Sequence, residues 1–433
     1  MTTTAPLTRA DRRNVALAAG SGLVDPLAGF LDLDGIRSTV AELFEAFAPL
    51  GRARHTVAVK ACGLAPVLRF LSDLDLDAEV ASPGETAVAE AAGVRGPRLV
   101  LDSPAKSTAE LSHAVAEAIA INVDNFAELT RLDQLIGASG SVIGLRINPQ
   151  VGGGRIGDTS TATGSSKFGI PLRDNRARIV EAVVRRPWLT RLHVHVGSQG
   201  CPLELMAEGV AAVHGLAEEI NAKLGHRRIT SIDIGGGLPV DFTSDDTGPT
   251  YADYVAILRE RVPGLEKYDL VTEFGRSLLA KNGFFASTVE YTKIAAGRHI
   301  AVTHAGANIA ARTVLQPGDW PLRILAFDRA GTPKSGAPVP QDIAGPLCFA
   351  GDLLARERPL PLLEPGDLVV ACDTGAYYFG AHYAYNTLPR PAVYAFEIGE
   401  RGQVRFTPVR RAQSMAELVA DAGAEFVGAL PAR

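Results

Sequence analysis

The chain has 433 residues, 46% hydrophobic and 21% charged, enough for two domains with cores of their own. Its formal net charge of −5 and pI of about 6.0 leave no basic footprint for nucleic acid or an anionic membrane surface. Its polar start, the lack of a membrane-spanning apolar stretch, and four scattered cysteines without a CxxC pair predict a cytoplasmic protein with reduced thiols and no metal site.

Residues 1–30 come first and are expected to join a β domain formed further along the chain. Eight short β-branched or apolar runs follow: VAVKAC (57–62), DAEVAS (77–82), LVLDS (99–103), AINVD (120–124), VIGLRIN (142–148), RLHVHVG (191–197), SIDIGGG (231–237) and LVTEFG (270–275). Between them lie segments with helical periodicity, of which GETAVAEAAG, KSTAELSHAVAEA, NFAELTRLDQLIG and PLELMAEGVAAVHGLAEEINAKLG are the clearest. Strands alternating with helices imply parallel βαβ units, and eight of them predict an α/β fold with a TIM-type (β/α)8 barrel over residues 31–285. A doubly wound open sheet is the structural alternative. From 286 to 433, strand-like runs such as FASTVEYTKIAA, HIAVTHAG, DLVVACDTG and AVYAFEIG are separated by Gly and Pro, which predicts a mostly β domain.

Barrel active sites sit at the C-terminal ends of the strands, so chemistry is expected from the residues at those ends. Lys60 ends an apolar run. Burial disfavours its ammonium form and frees the amine for carbonyl chemistry, although a strand-end lysine can also simply snorkel. His193 and His195 lie two apart and face one side, with Gly197 and Ser198 following as a turn. A core histidine is the ordinary reading of either, but His195 is placed to stack on a planar group. Gly235, Gly236 and Gly237 could close backbone amides around a phosphate, or merely form a tight turn. Glu273 could hold a protonated ring nitrogen and Arg276 a phosphate or carboxylate, where the ordinary reading is a surface ion pair. Taken together, an imine-forming lysine, a stacking ring, a phosphate cradle and an acid are what a pyridoxal phosphate enzyme requires.

With those residues in place, the sequence resembles the diaminopimelate/ornithine decarboxylase family of alanine-racemase-like pyridoxal phosphate enzymes. The resemblance covers nearly the whole chain. VAVKAC, ASPGE, LRINPQV, TGSSKFGI, HVHVGSQ, DIGGG and EFGR run in family order, followed by HAGAN, GPLCFAGD, DTGAYYF and YNTLPRP. It implies that Lys60 carries the cofactor as a Schiff base, His195 stacks on its ring and Glu273 pairs with its nitrogen. It further implies that Ser198, Gly235–Gly237, Arg276 and Tyr377 hold the phosphate. Cys348 would protonate Cα from the partner subunit of a homodimer with composite active sites. Arg312, Gln316, Phe349 and Asp352 fall in the segments that meet an amino-acid substrate.

The departures concern that substrate. The family's Cys-Glu-Ser stands here as Cys348-Phe349-Ala350, and a phenylalanine cannot accept a hydrogen bond from a distal ammonium. The Arg-Pro-x-Leu-Tyr segment reads Arg312-Thr313-Val314-Leu315-Gln316, keeping the arginine and losing the tyrosine. Also, Phe274 replaces the usual proline of Glu-Pro-Gly-Arg. The changes at Phe349 and Gln316 favour a decarboxylase of a diaminopimelate-like or modified amino acid, acylated or carrier-bound, as in siderophore or natural-product pathways. The runner-up is the meso-diaminopimelate decarboxylase of lysine biosynthesis. A racemase and a non-catalytic cofactor-binding protein stay open, disfavoured by the Cys-x-x-x-Asp and Gly-Ala-Tyr segments and by the second domain respectively.

Overall fold

The computed structural model describes residues 7–430. The chain divides into two compact units. One takes in the described residues up to Ile36, Phe242–Asp245 and the described residues from Ala280 onward; the other takes in Arg37–Asp241 and Asp246–Leu279.

Strand β1 (Leu27–Asp32) belongs to the first unit. The second unit then runs through β2 (Ala53–Ala58), β3 (Asp77–Val80), β4 (Leu99–Asp102), β5 (Ala120–Val123) and β6 (Ile143–Asn148). After the two-residue β7 (Ile170–Pro171) come β8 (Leu189–His193), β9 (Ser231–Asp233) and β10 (Asp269–Phe274). All pairings among these strands are parallel. β10 pairs with β2 and β5 with β6, so the eight longer strands close into a barrel and the open-sheet alternative falls. Three of the helices that follow these strands begin on a side-chain cap. Ser82, Ser107 and Asn125 each accept from the backbone N–H three residues on.

Two strand ends differ from the sequence reading. VAVKAC stays extended only to Ala58, and Val59–Ala61 tighten into a 3-10 turn that carries Lys60 beyond the strand. The run through HVHVG leaves the sheet at His193, so His195 sits in the loop beyond.

In the first unit β1 pairs antiparallel with β11 (Gly283–Ala295) and parallel with β17 (Ala392–Ile398). The remaining strands of this unit are β12 (Arg298–Thr303), β13 (Ile324–Phe327), β14 (Val339–Ala344), β15 (Leu353–Leu360), β16 (Leu368–Ala371) and β18 (Val404–Arg410). The sheet runs β15-β14-β12-β11-β1-β17-β18, with β16 on β11 and β13 on β16. Phe30, Phe284, Phe327, Val370 and Phe396 form its core, and the Phe30 and Phe284 rings stack at 5.0 Å. A helix, Ala307–Leu315, interrupts the β texture expected there; the buried Asp352 carboxylate accepts its first N–H at 2.6 Å. Among the described residues no helix is long and apolar enough to cross a membrane.

Because Phe30 is fully buried between two partner strands, Phe30→Ala should cost about 3–5 kcal/mol. Urea unfolding followed by tryptophan fluorescence measures this; a loss below about 1 kcal/mol would mean that β1 is dispensable.

Candidate functional site

Lys60 leaves its turn with Nζ donating to both oxygens of Glu79, at 2.6 and 2.8 Å. The lysine side chain is 43% exposed, whereas Glu79 is fully buried. Burial pushes the Glu79 carboxyl above its usual range and the Lys60 charge opposes this. Glu79 on β3 was missed in the sequence reading. The signal was available, because a carboxylate inside an apolar strand is as anomalous as a lysine at the end of one.

Side chains of one phase on successive strands build the barrel interior. Asp102 on β4 pairs with Arg146 on β6 at 2.8 Å, and the Arg146 guanidinium lies 4.5 Å from the Phe168 ring centroid in the SSKFG segment. His193 places Nε2 3.4 Å from Glu273 and Nδ1 4.0 Å from Asp102. The Asn122 amide donates to Asp233 at 3.0 Å and to Glu273 at 3.4 Å. Burial, then the charges of Asp102 and Glu79, push Glu273 well above the usual carboxylate range. Burial and then Glu273 push Asp233 up to about 7. Burial works on Asp102 too, but Arg146, His193, Lys106 and Lys60 outweigh it and hold that carboxyl below its usual range. Donor atoms of Asp102, His193 and Glu273 lie within 4.8 Å of one another, a spacing a metal ion could bridge, but the Arg146 cation already occupies Asp102.

The predicted cofactor residues of this unit converge around the last strands. The Gly236 N–H donates to His195 Nδ1 at 3.2 Å, which leaves the ring's proton on Nε2. Burial, followed by Arg146, Lys60 and His193, pulls the imidazole down to about 3, so it stays neutral. The Gly235 N–H goes to Asp233 at 3.0 Å, while the Gly237 N–H makes no hydrogen bond among the described residues. Two of the three amides thus organise the site and only the third is open to a ligand. A Cβ on Gly237 would come within 1.9 Å of the Gly197 carbonyl, and its φ of +102° excludes most side chains. Arg276 reaches Ser198 Oγ at 3.4 Å. The loop after β6 straps this segment: Thr161 Oγ1 donates to the His195 carbonyl at 2.5 Å, and the Ser198 N–H to the Thr159 carbonyl at 3.1 Å.

Cys348, Phe349, Asp352, Arg312, Gln316 and Tyr377 lie in the other unit. Cys348 is exposed. Phe349 packs on the cluster of Ala307, Val314 and Leu347, its ring 6.1 Å from Tyr385. Asp352 was expected to meet the substrate. Instead it is buried, and its two oxygens accept from the Ala307 and Leu347 amides, so it organises the loop. Arg312 lies over the rings of Trp320 and Tyr377, and Gln316 ends its helix by donating its N–H to the Arg312 carbonyl.

A buried acid-lined barrel with a lysine at one strand end is the architecture of a pyridoxal enzyme. Residues 33–280 match the family model described as "Pyridoxal-dependent decarboxylase, pyridoxal binding domain", and the chain belongs to that family. It is 32% identical to diaminopimelate decarboxylase of Pseudomonas aeruginosa, over 84% of this chain and 85% of the relative. It is 30% identical to the diaminopimelate decarboxylase of Mycobacterium tuberculosis, over 85% and 86%. The crystal structure of diaminopimelate decarboxylase from Helicobacter pylori complexed with L-lysine superposes with a TM-score of 0.81 at 25% identity, covering 92% of this chain and 97% of that one. The chain is therefore a carboxy-lyase acting on an amino acid with pyridoxal phosphate as cofactor. The residues present fit that group: an amine at a turn, a neutral ring, an open amide and an arginine beside a hydroxyl.

Asp233 holds its proton to about pH 7 in the fold but only to 3.8 ordinarily, so folding stability falls as pH rises through that window. Asp233→Asn does not titrate there. Thermal midpoints of the two holoenzymes should therefore shift in favour of the variant between pH 5 and pH 8. A gap that stays constant would mean Asp233 is already ionised at pH 5.

Proposed function

We propose that this chain decarboxylates an α-amino dicarboxylic acid of the diaminopimelate type, at pyridoxal phosphate held by Lys60 within a homodimer. The observation that carries the reading is Lys60 on its turn above buried Glu79, beside a neutral His195 and the open Gly237 amide. Its relatives' names supply the substrate class.

When bound, pyridoxal phosphate supplies a sink for the electron pair released as the Cα–carboxylate bond breaks. The protein's part is to bind, orient and move protons. Lys60 Nζ anchors the cofactor and Glu79 holds that amine in place. The neutral His195 ring would stack on the bound cofactor without adding charge, Glu273 would partner its ring nitrogen, and Ser198, the Gly237 amide, Arg276 and Tyr377 would hold its phosphate. Arg312 receives the substrate's second carboxylate. Cys348 returns a proton to Cα at the partner subunit's site.

A second reading, a substrate whose far amine is acylated or carrier-bound, is favoured by Cys348-Phe349-Ala350, which offers no carboxylate to an ammonium. It ranks second because the Phe349 ring is committed to packing within its own unit.

Holoenzyme incubated with meso-diaminopimelate should release carbon dioxide and lysine, and Lys60→Ala should lose both turnover and the covalently bound cofactor's absorbance. Absence of turnover with that absorbance intact would reject diaminopimelate and turn to the acylated substrates. Mixing inactive Lys60→Ala with inactive Cys348→Ala should restore partial activity if active sites are shared across a dimer; no recovery would exclude the sharing.

A further inference from the structure

Several arginines of this unit are tied to acids: Arg12 to Asp32, Arg298 to Asp342, Arg323 to Asp245 and Asp373. Arg312 is not. Its guanidinium makes no hydrogen bond or ion pair among the described residues. It is instead set against aromatic faces, its Cζ 4.2 Å from the ring centroid of Trp320 and 5.0 Å from that of Tyr377.

The aromatic partner is placed by backbone. The Gln316 N–H donates to the Arg312 carbonyl at 2.9 Å, and the Trp320 N–H donates to the Gln316 carbonyl at 3.1 Å, so the chain turns back at the helix end. Trp320 is 5% exposed and so has little room to move. Tyr377 is held at φ +67°, a left-handed conformation that costs a non-glycine residue energy and persists only where the surroundings impose it. A cation lying on rings keeps its N–H edges for another acceptor, and the planar fork of arginine fits a carboxylate with two parallel hydrogen bonds.

We propose that Trp320 is a positioning residue: its indole face holds the Arg312 guanidinium in the orientation that receives the second carboxylate of the substrate. This rests on the reading of Arg312 given above. In effect the indole supplies, four residues further along, an aromatic group in the segment where Gln316 replaces the tyrosine of the family pattern. Selectivity for a dicarboxylate over a monocarboxylate then depends on a side chain that need not touch the substrate.

The test titrates holoenzyme calorimetrically with pimelate, a seven-carbon dicarboxylate, and with heptanoate as the monocarboxylate control. Wild type should prefer pimelate. Trp320→Leu should weaken pimelate roughly tenfold, the worth of one cation–π contact, and leave heptanoate unchanged. Trp320→Phe should recover most of the loss. Trp320→Leu matching wild type, weakening both ligands alike, or matched in its loss by Trp320→Phe would each overturn the proposal. Arg312→Ala separates the two levels: if it binds pimelate as wild type does, the reading of Arg312 itself fails.

Discussion

Four carboxylates, Glu79, Asp102, Asp233 and Glu273, share the interior of one barrel, where water cannot screen them, and the unit's architecture depends on how that charge is balanced. Lys60 meets Glu79 and Arg146 meets Asp102 directly. Arg191, buried on β8, has among the described residues only the Ser231 hydroxyl as a hydrogen-bond partner, at 3.2 Å, yet the charges of Asp233 and Glu273 oppose the effect of its burial. Three cations against four acids leave a deficit. Burial and this excess of negative charge push the Asp233 and Glu273 carboxyls above their usual range.

This balance bears on chemistry because Glu273 sits at its centre. Burial and the charges of Asp102 and Glu79 push its carboxyl upward, so its state is set by its neighbours and not by solvent. Its neighbours cannot be altered singly. Removing Arg146 would leave Asp102 uncompensated 4.0 Å from His193, which in turn stands 3.4 Å from Glu273. The barrel therefore acts as one electrostatic unit in which the lysine end and the acid end are coupled.

The eight strands were legible because parallel strands covered on both faces read as apolar runs, against which Lys60, His193 and Glu273 stood out. Glu79, Asp102 and Arg146 obey the same rule and went unread because DAEV, LVLD and LRIN resemble strand ends, where a charge is ordinary. The glycine triplet was readable as a tight turn, but not that Gly235 and Gly236 would spend their amides on Asp233 and His195. The Gly236 bond spans 41 residues of sequence, which no local pattern encodes. Asp352 was misread for a related reason. A carboxylate in a motif invites a ligand, whereas here helix Ala307–Leu315 and the Leu347 turn need an acceptor for their amides.

The substrate question has the same form. Phe349 in place of a glutamate reads from sequence as a lost contact to an ammonium, but a ring that packs on Ala307, Val314 and Leu347 is explained by its own unit. Arg312 shows the converse: a cation that no acid in the described structure claims and that two rings hold still. A side chain whose partners are all internal says little about a ligand. One ordered at some cost in side-chain freedom, with its donors left over, points outward. By that criterion Arg312, more than Phe349, is the residue from which a proposal about the substrate can be argued.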